Sequence, residues 1–493
     1  MIKINTPYCV FVMLVTEITT FVSFGMVLAA LNPTKASIEV FINSSHVIRY
    51  GEPASAAFTK LIITLSQAML IVGTVVGSII VRFLMAKLSR KENMLSVHVV
   101  MIISAICMGP MPPILNSYEI LIVGRFLTGI SRGLAFASCP LYIAETANRQ
   151  TLFLWQSPSG WLIQLGALLG NGIGHVKVMG GEELWPYFMI IPGLFSVVYV
   201  VCYYWLPETP PYLLRQKNKP EAQRDSEALA LLTKLRTGSP DVLEKELQAL
   251  KEEIAADASV EKASVVQIAK DPKYRMQLLV CIMLMSSLQA VGIQLISQYT
   301  DDIFINANIP KEYATYASIG TFGFSLLASF CGTFFLLRVG GRTSMLTGLS
   351  VSSVALIGLA IATFGKAIPS MAYLSVVATV IYLAGVAIGP SLTFFSLSSE
   401  LTTQVVRPSA LWVAGIVFWC EGSIVSFGAP YMLQATGGFT YLLFLALILL
   451  VIAFIFRVVP DTRGKSAAEI QRQLAKDPDV DSTPMLEVAK QEV

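Results

Sequence analysis

Charge is scarce in this sequence. Only 14% of its 493 residues are Asp, Glu, Lys or Arg, while 54% are hydrophobic; a soluble domain carries about a quarter charged residues. That scarcity excludes an ordinary soluble globular protein. A formal net charge of +3 over the whole chain gives no nucleic-acid signal. Histidine is nearly absent. His46, His98 and His175 are scattered between loops and a span, so they make no metal-ligand cluster. No nucleophile–base spacing is present either, so neither an enzyme nor a metal or other cofactor is expected. The seven cysteines (Cys9, Cys107, Cys139, Cys202, Cys281, Cys331, Cys420) all fall inside apolar runs. They read as small apolar packers rather than a disulfide framework. No small-residue cleavage site follows the first apolar run, so no cleavable signal peptide is expected.

Long apolar runs are abundant. Mean hydropathy is +0.66, and runs of about twenty residues, enough to cross a hydrocarbon core of ~30 Å, recur along the chain. They place spans near 8–31, 59–84, 94–113, 119–144, 152–175, 185–206, 274–299, 313–337, 344–365, 370–399, 408–434 and 438–458. The expected fold is therefore an all-α membrane protein of twelve transmembrane helices. Residues 207–272 form the one long polar segment, with two amphipathic helix patterns, EAQRDSEALALLTKLR and DVLEKELQALKEEIAAD. The segment divides the chain into 1–206, 207–272, 273–460 and a tail, 461–493, whose last part (476–493) is polar. Basic residues near span ends set the orientation. With the N-terminus inside, Lys87, Arg90, Lys91, Arg149, Arg215, Lys217, Arg275, Arg338, Arg342, Arg407, Arg463 and Lys465 are cytoplasmic, and Lys35, Arg49, Lys60, Lys177, Lys311 and Lys366 are outside. Asn43-Ser44-Ser45 is a glycosylation sequon in the first, outward loop.

The two halves repeat. AKLSRKENML (86–95) follows the second span and LRVGGRTSML (337–346) follows the eighth, so Lys87 matches Arg338 and Lys91 matches Arg342. The fourth span ends in PLYIAE and the tenth in SLSSEL, which pairs Glu145 with Glu400. Repeats of about six spans are a transporter signature, with the substrate between halves near the midplane.

Several motifs, in order, carry a resemblance: GRFLTGISRG (124–133) with PLYIAE (140–145), LPETPPYLL (206–214), KLRTGSPDVLEKELQALKEE (234–253) and VPDTRGKSAAEI (459–470). The chain resembles the sugar porter family of the major facilitator superfamily, and is most similar to animal facilitative glucose transporters. The resemblance implies two six-helix bundles, alternating access, a small-molecule substrate such as a sugar, and, by family default, the plasma membrane with both termini cytoplasmic. It puts Arg90, Glu145, Arg342, Glu400 and Arg407 at positions that latch the inner gate. The loop motif is eroded: Leu152, Leu337 and Gly341 stand where the family carries charge, so a thinner latch is expected.

LQAVGIQLISQYT (288–300) resembles the family's seventh-span sugar segment, where the helix is interrupted. Gln289 matches a family glutamine. Gln294 replaces an asparagine, and Tyr299 is kept beside Gln298. An amide both donates and accepts, which suits hydroxyl recognition; the competing reading is glue between helices, worth roughly 1 kcal/mol per bond. Other sugar positions have changed: Gly160 replaces a glutamine, Ser325 and Phe418 replace asparagines, and Trp419 is kept.

Glu17, Arg132 and Glu421 are ionisable residues deep in spans, which marks them as functional candidates. Counting ~1.5 Å per residue from the outer ends puts Glu17 and Arg132 at one depth, so a pair across the first and fourth helices is expected. By resemblance, proton-coupled relatives place an Asp near the arginine matching Arg125; that Asp position is Val27 here. Glu421 is expected either to touch substrate or to bond a backbone carbonyl. Three readings stay open: a facilitator of a small neutral polar solute, a proton-coupled symporter, and a non-transporting sensor. Oligomeric state is undetermined, although the pairs Gly129/Gly133 and Gly166/Gly170 read as packing within one bundle.

Overall fold

The structure is a computed structural model that describes residues 6–148, 151–156, 158–216, 218–259, 263–403, 405–462, 469–470 and 473–474. Arg149, Lys217, Arg463, Lys465 and the polar tail 476–493 lie outside the described residues. Among the described residues there is no strand.

Among the described residues, eleven helices are long and apolar enough to cross a membrane, from Pro7–Ala29 to Phe439–Val458. The fifth expected span, 152–175, is described as Leu152–Gln156 and Pro158–Ile173, and residue 157 between them lies outside the described residues. Counted as one crossing, the two pieces keep the expected twelve. Local sequence sets the ends. Thr6 caps the first helix by accepting from the Cys9 N–H, with Pro7 behind it at a position that needs no donor. Ser89 and Glu92 form a reciprocal capping box that starts the third span at Arg90.

The first span is less regular than its apolar run suggests. Pro7–Glu17 passes through a π-helical turn, Ile18–Val22, into Ser23–Ala29, and a further helix, Leu31–Tyr50, follows almost at once. The sequon at Asn43 therefore lies in a helix, not in the expected loop.

Within the first half, helices meet through glycine. A methyl on Gly129 would overlap the Leu70 carbonyl oxygen and lie 2.8 Å from the Gly73 Cα, and a methyl on Gly166 would overlap the Val22 oxygen and lie 3.0 Å from the Gly25 Cα. Both small-residue pairs thus pack helices of one bundle, as expected. Separate apolar cores fill the two halves: Met26, Ile62, Trp185 and Phe188 in the first, Leu349, Tyr382, Phe444 and Ile448 in the second. A further cluster joins them, with Leu70 and Met101 against Met285, Phe418 and Trp419. The linker helices Glu221–Leu235 and Pro240–Ser259 hang on the first half. Arg236 anchors them, donating to the carbonyls of Thr146 and Ala147 at 2.7 and 2.9 Å and pairing with Glu246 at 3.0 Å.

Candidate functional site

The seventh crossing is broken, as its resemblance to the family's interrupted segment implied. Pro272–Ala290 stops, Gly292 takes φ +81°, and a short helix, Ile293–Gln298, resumes. Glycine adopts that φ without strain, and the Phe444 ring would lie 3.0 Å from any Cβ there. A break inside a membrane frees backbone groups that must find partners. The Tyr382 hydroxyl supplies one, donating to the Val291 carbonyl at 2.8 Å.

The break turns the three glutamines in different directions. Gln294 lines a cavity of about 380 Å³ between the halves. Gln298 sits behind it, donating to the Gln294 side-chain oxygen at 2.8 Å and accepting from Ser426 at 3.2 Å. Gln289 packs against Gly422, its amide nitrogen 3.0 Å from where a Cβ would stand, and both its polar atoms are buried without a partner.

Gly160 and Trp419 also line the cavity, and Phe418 stands where the family asparagine was expected. Gln289, Gln298, Tyr299 and Ser325 do not line it in this conformation. They are buried on the side away from the linker, where the Gln298 carbonyl accepts from Gln67 of the second span at 3.4 Å. The cavity reaches Pro140, Ile143, Gln156, Leu336 and Ser396, toward the linker ends of their helices.

The opposite side is closed across the halves. Lys35 Nζ donates to both Asp302 oxygens at 2.7 and 2.9 Å, Lys177 pairs with Glu312 at 3.4 Å, and Lys60 bonds Gln434 while facing the Tyr431 ring at 4.9 Å.

The latch positions have separate fates. Arg90 Nε reaches both Glu145 oxygens at 3.3 Å, Thr209 donates to the same carboxylate at 2.5 Å, and Arg215 approaches it at 3.9 Å. Among the described residues, the second-half counterpart is not assembled. Arg342 donates to the Phe456 carbonyl and Arg407 to the Thr402 carbonyl, both at 2.9 Å, while Glu400 is exposed. Beside the formed latch, Glu208 accepts from the backbone N–H groups of Lys91 and Thr209, each at 3.1 Å. Burial pushes its carboxyl above the ordinary carboxylate range.

The expected Glu17–Arg132 pair is not formed. The Arg132 guanidinium lies over the rings of Phe24 at 3.8 Å and Trp419 at 4.6 Å. Glu17 is buried with one oxygen unpartnered. The depth count assumed two straight α-helices with matching ends. The π-helical turn directly after Glu17 and the helix that runs on to Tyr50 break both assumptions. Arg125, wholly buried, donates to the Val27 carbonyl at 2.9 Å. The backbone of the residue at the missing Asp position thus stands in for the carboxylate. Glu421 accepts from the Ser286 hydroxyl at 2.8 Å, does not line the cavity, and bonds no backbone carbonyl.

Two features escaped the sequence reading. His98 lines the cavity, 3.1 Å from the Ser196 hydroxyl and stacked on Tyr199 at 3.9 Å; an ionisable residue in an apolar run was its available signal. The rings of Phe136, Phe394 and Phe418 stand nearly parallel, 5.6 to 6.3 Å apart, across the two halves. No spacing announces contacts between residues so distant in the chain.

A family model described as "Sugar (and other) transporter" matches residues 12–474. Solute carrier family 2, facilitated glucose transporter member 1 of Gallus gallus is 32% identical over 458 residues, 91% of this chain and 89% of that protein. Solute carrier family 2, facilitated glucose transporter member 5 of Bos taurus is 30% identical over 476 residues, 96% of this chain and 93% of that protein. Among solved structures, the inward open conformation of the xylose transporter XylE from E. coli aligns with a TM-score of 0.76 over 94% of this chain and 99% of that one, at 18% identity. The major facilitator superfamily proton:xylose symporter XylE bound to 6-bromo-6-deoxy-D-glucose aligns with a TM-score of 0.74, also at 18% identity, over 94% of this chain and 98% of that one. At that identity the likeness is one of fold.

Proposed function

The chain belongs to the sugar transporter family, and on that premise we propose that it moves a small neutral polar solute, a hexose or close relative, by facilitated diffusion through alternating access. The observation that carries this is the Gln294 amide on the wall of a cavity between the halves, braced from behind by Gln298 and Ser426. The brace occupies the Gln294 oxygen and leaves its NH₂ group for a solute hydroxyl. Gln289, Gln298, Tyr299 and Ser325 join the solute's path when the side away from the linker opens, with Gly160 and Trp419 facing them. Arg90, Glu145, Arg342, Glu400 and Arg407 gate the linker side. Facilitated diffusion rather than proton coupling is supported at Arg125, whose partner at the first span is the Val27 carbonyl and carries no proton.

The chain divides into bundles 1–206 and 273–460, with the cytoplasmic linker 207–272 between them and the tail from 461. Basic Arg90, Lys91, Arg215, Arg338, Arg342 and Arg407 gather near the linker ends of the spans, which supports an orientation with both termini cytoplasmic and Asn43 outside; the plasma membrane and glycosylation of the Asn43 sequon are proposed from the resemblance and the triplet alone.

Counterflow of labelled glucose into proteoliposomes, at equal pH on both sides, tests the reading. Saturable exchange is expected. Gln294→Ala should raise the half-saturation concentration roughly five- to tenfold, as loss of one hydrogen bond worth about 1 kcal/mol implies. No exchange by folded, inserted wild-type protein would retire the hexose assignment.

A further inference from the structure

Phe136 of the fourth span is surrounded by rings from the other half. Its ring lies 5.4 Å from Trp419, 6.0 Å from Phe395 and 6.3 Å from both Phe394 and Phe418. Phe394 and Phe418 stack on it, and Phe395 and Trp419 meet it edge-on. Aromatic pairs prefer these two arrangements. The second half holds the seat together: Phe394 stacks on Phe418 at 5.6 Å, and Phe418 meets Trp419 edge-on at 4.5 Å. One first-half ring thus fills a seat of second-half rings, and all of them line the central cavity. A second approach across the halves accompanies it. A methyl on Gly160 of the fifth span would lie 3.2 Å from Leu392, just before Phe394 in the tenth span. The missing side chain at Gly160 lets the tenth span come close.

Depth decides what the seat does. Phe418 stands ~16 Å from Arg407, the linker end of the helix Arg407–Thr436. Ser426, which bonds Gln298, lies ~12 Å further out on the same helix. Gln294 is one turn inward of Gln298, so its amide still lies on the side of the rings away from the linker. Past the rings the cavity goes on to Pro140 and Ile143, one and two turns beyond Phe136 on the fourth span. A solute on Gln294 leaves toward the linker through the gap that Phe136 and Leu392 narrow.

We propose that Phe136 and its seat set the largest solute that can pass: one sugar ring slips by, and two linked rings are held back. The proposal rests on the transporter reading above and adds a size limit to it. A cavity of about 380 Å³, near the small end of the usual 300–1,000 Å³ range for ligand pockets, suits such a limit. Phe136 is the deciding ring because it alone reaches into the seat from the first half, so each passage of solute must move it against the other four.

Counterflow of labelled glucose and of labelled cellobiose, a disaccharide of the same sugar, is read in proteoliposomes. Wild type should exchange glucose and exchange cellobiose far more slowly. Phe136→Ala should raise the ratio of cellobiose to glucose exchange roughly tenfold or more, the scale on which pocket shape discriminates. Phe136→Leu, which keeps bulk but not the ring, should fall between. A role in packing alone would change both rates together and leave the ratio where it was. An unchanged ratio in a folded Phe136→Ala protein therefore overturns the proposal, and so does a wild type that exchanges both sugars at similar rates. Should Phe136→Ala not fold, Phe395→Ala takes its place. Phe395 is the most exposed ring of the seat, at 37%, and its removal widens the same gap, so the ratio should again rise; an unchanged ratio there overturns the proposal equally. Should neither variant fold, the two wild-type rates decide alone. A wild type that does not exchange glucose is a separate result, which removes the transporter reading and this proposal with it.

Discussion

Glu208 ties a single side chain to the behaviour of the linker-side gate. Its carboxyl accepts two backbone N–H groups beside the Arg90–Glu145 pair, yet burial outweighs those bonds and raises its pKa. The folded chain therefore holds this proton to higher pH than the unfolded chain. Any stability tied to the proton is fully present below the ordinary carboxylate value of about 4.3. It is lost as pH rises from there through the raised value. Glu208→Gln keeps an oxygen for both N–H donors and never ionises. Its thermal stability in detergent, relative to wild type, should rise across that window and level off above it. A difference that stays flat with pH would mean that the carboxylate is solvated in the folded chain. The same logic of substitution by a neutral acceptor is already present at Arg125, where a backbone carbonyl replaces an acid.

At the scale of elements, the broken seventh helix depends on one hydroxyl. Tyr382→Phe leaves the Val291 carbonyl without its 2.8 Å donor inside the membrane. An unmet buried acceptor costs about 1–3 kcal/mol, so the variant should melt measurably lower than wild type; equal melting would show that water satisfies the break. The break was legible through the resemblance of 288–300 to the family's interrupted seventh-span segment. The spans were legible from apolar length, and the close helix seams from glycines spaced one turn apart. The direction of each glutamine was not legible. It depends on how far the chain rotates at Gly292, which residue spacing does not record. The Glu17–Arg132 pair misled for a related reason: depth counting is sound only for unbroken α-helices, and five residues of π-helix, Ile18–Val22, follow the acid. Rings that meet across the halves, such as Phe136 and Phe394, are set by tertiary packing alone.

For the whole molecule, the side away from the linker is closed by ion pairs and the cavity runs toward the linker. Alternating access requires that closure to open. Lys35 and Asp302 are the pair to test, because they join the helix that follows the first span to the end of the broken seventh crossing. Both side chains are about a third exposed, at 33% and 29%, and such pairs contribute roughly 0–1 kcal/mol. The double variant Lys35→Cys/Asp302→Cys should thus still fold and exchange glucose. A short bis-methanethiosulfonate crosslinker should then stop exchange, and dithiothreitol should restore it. Wild type, whose Cys331 and Cys420 are exposed, is treated in parallel to measure background modification. The size of the inhibition carries the argument. If opening were confined to the linker side, tying residues 35 and 302 together would leave exchange intact. Full inhibition, reversed by reductant, requires that the halves part here in every cycle. It would also explain why the amides of Gln289 and Gln298 are buried in this conformation: they wait behind the contact that must open.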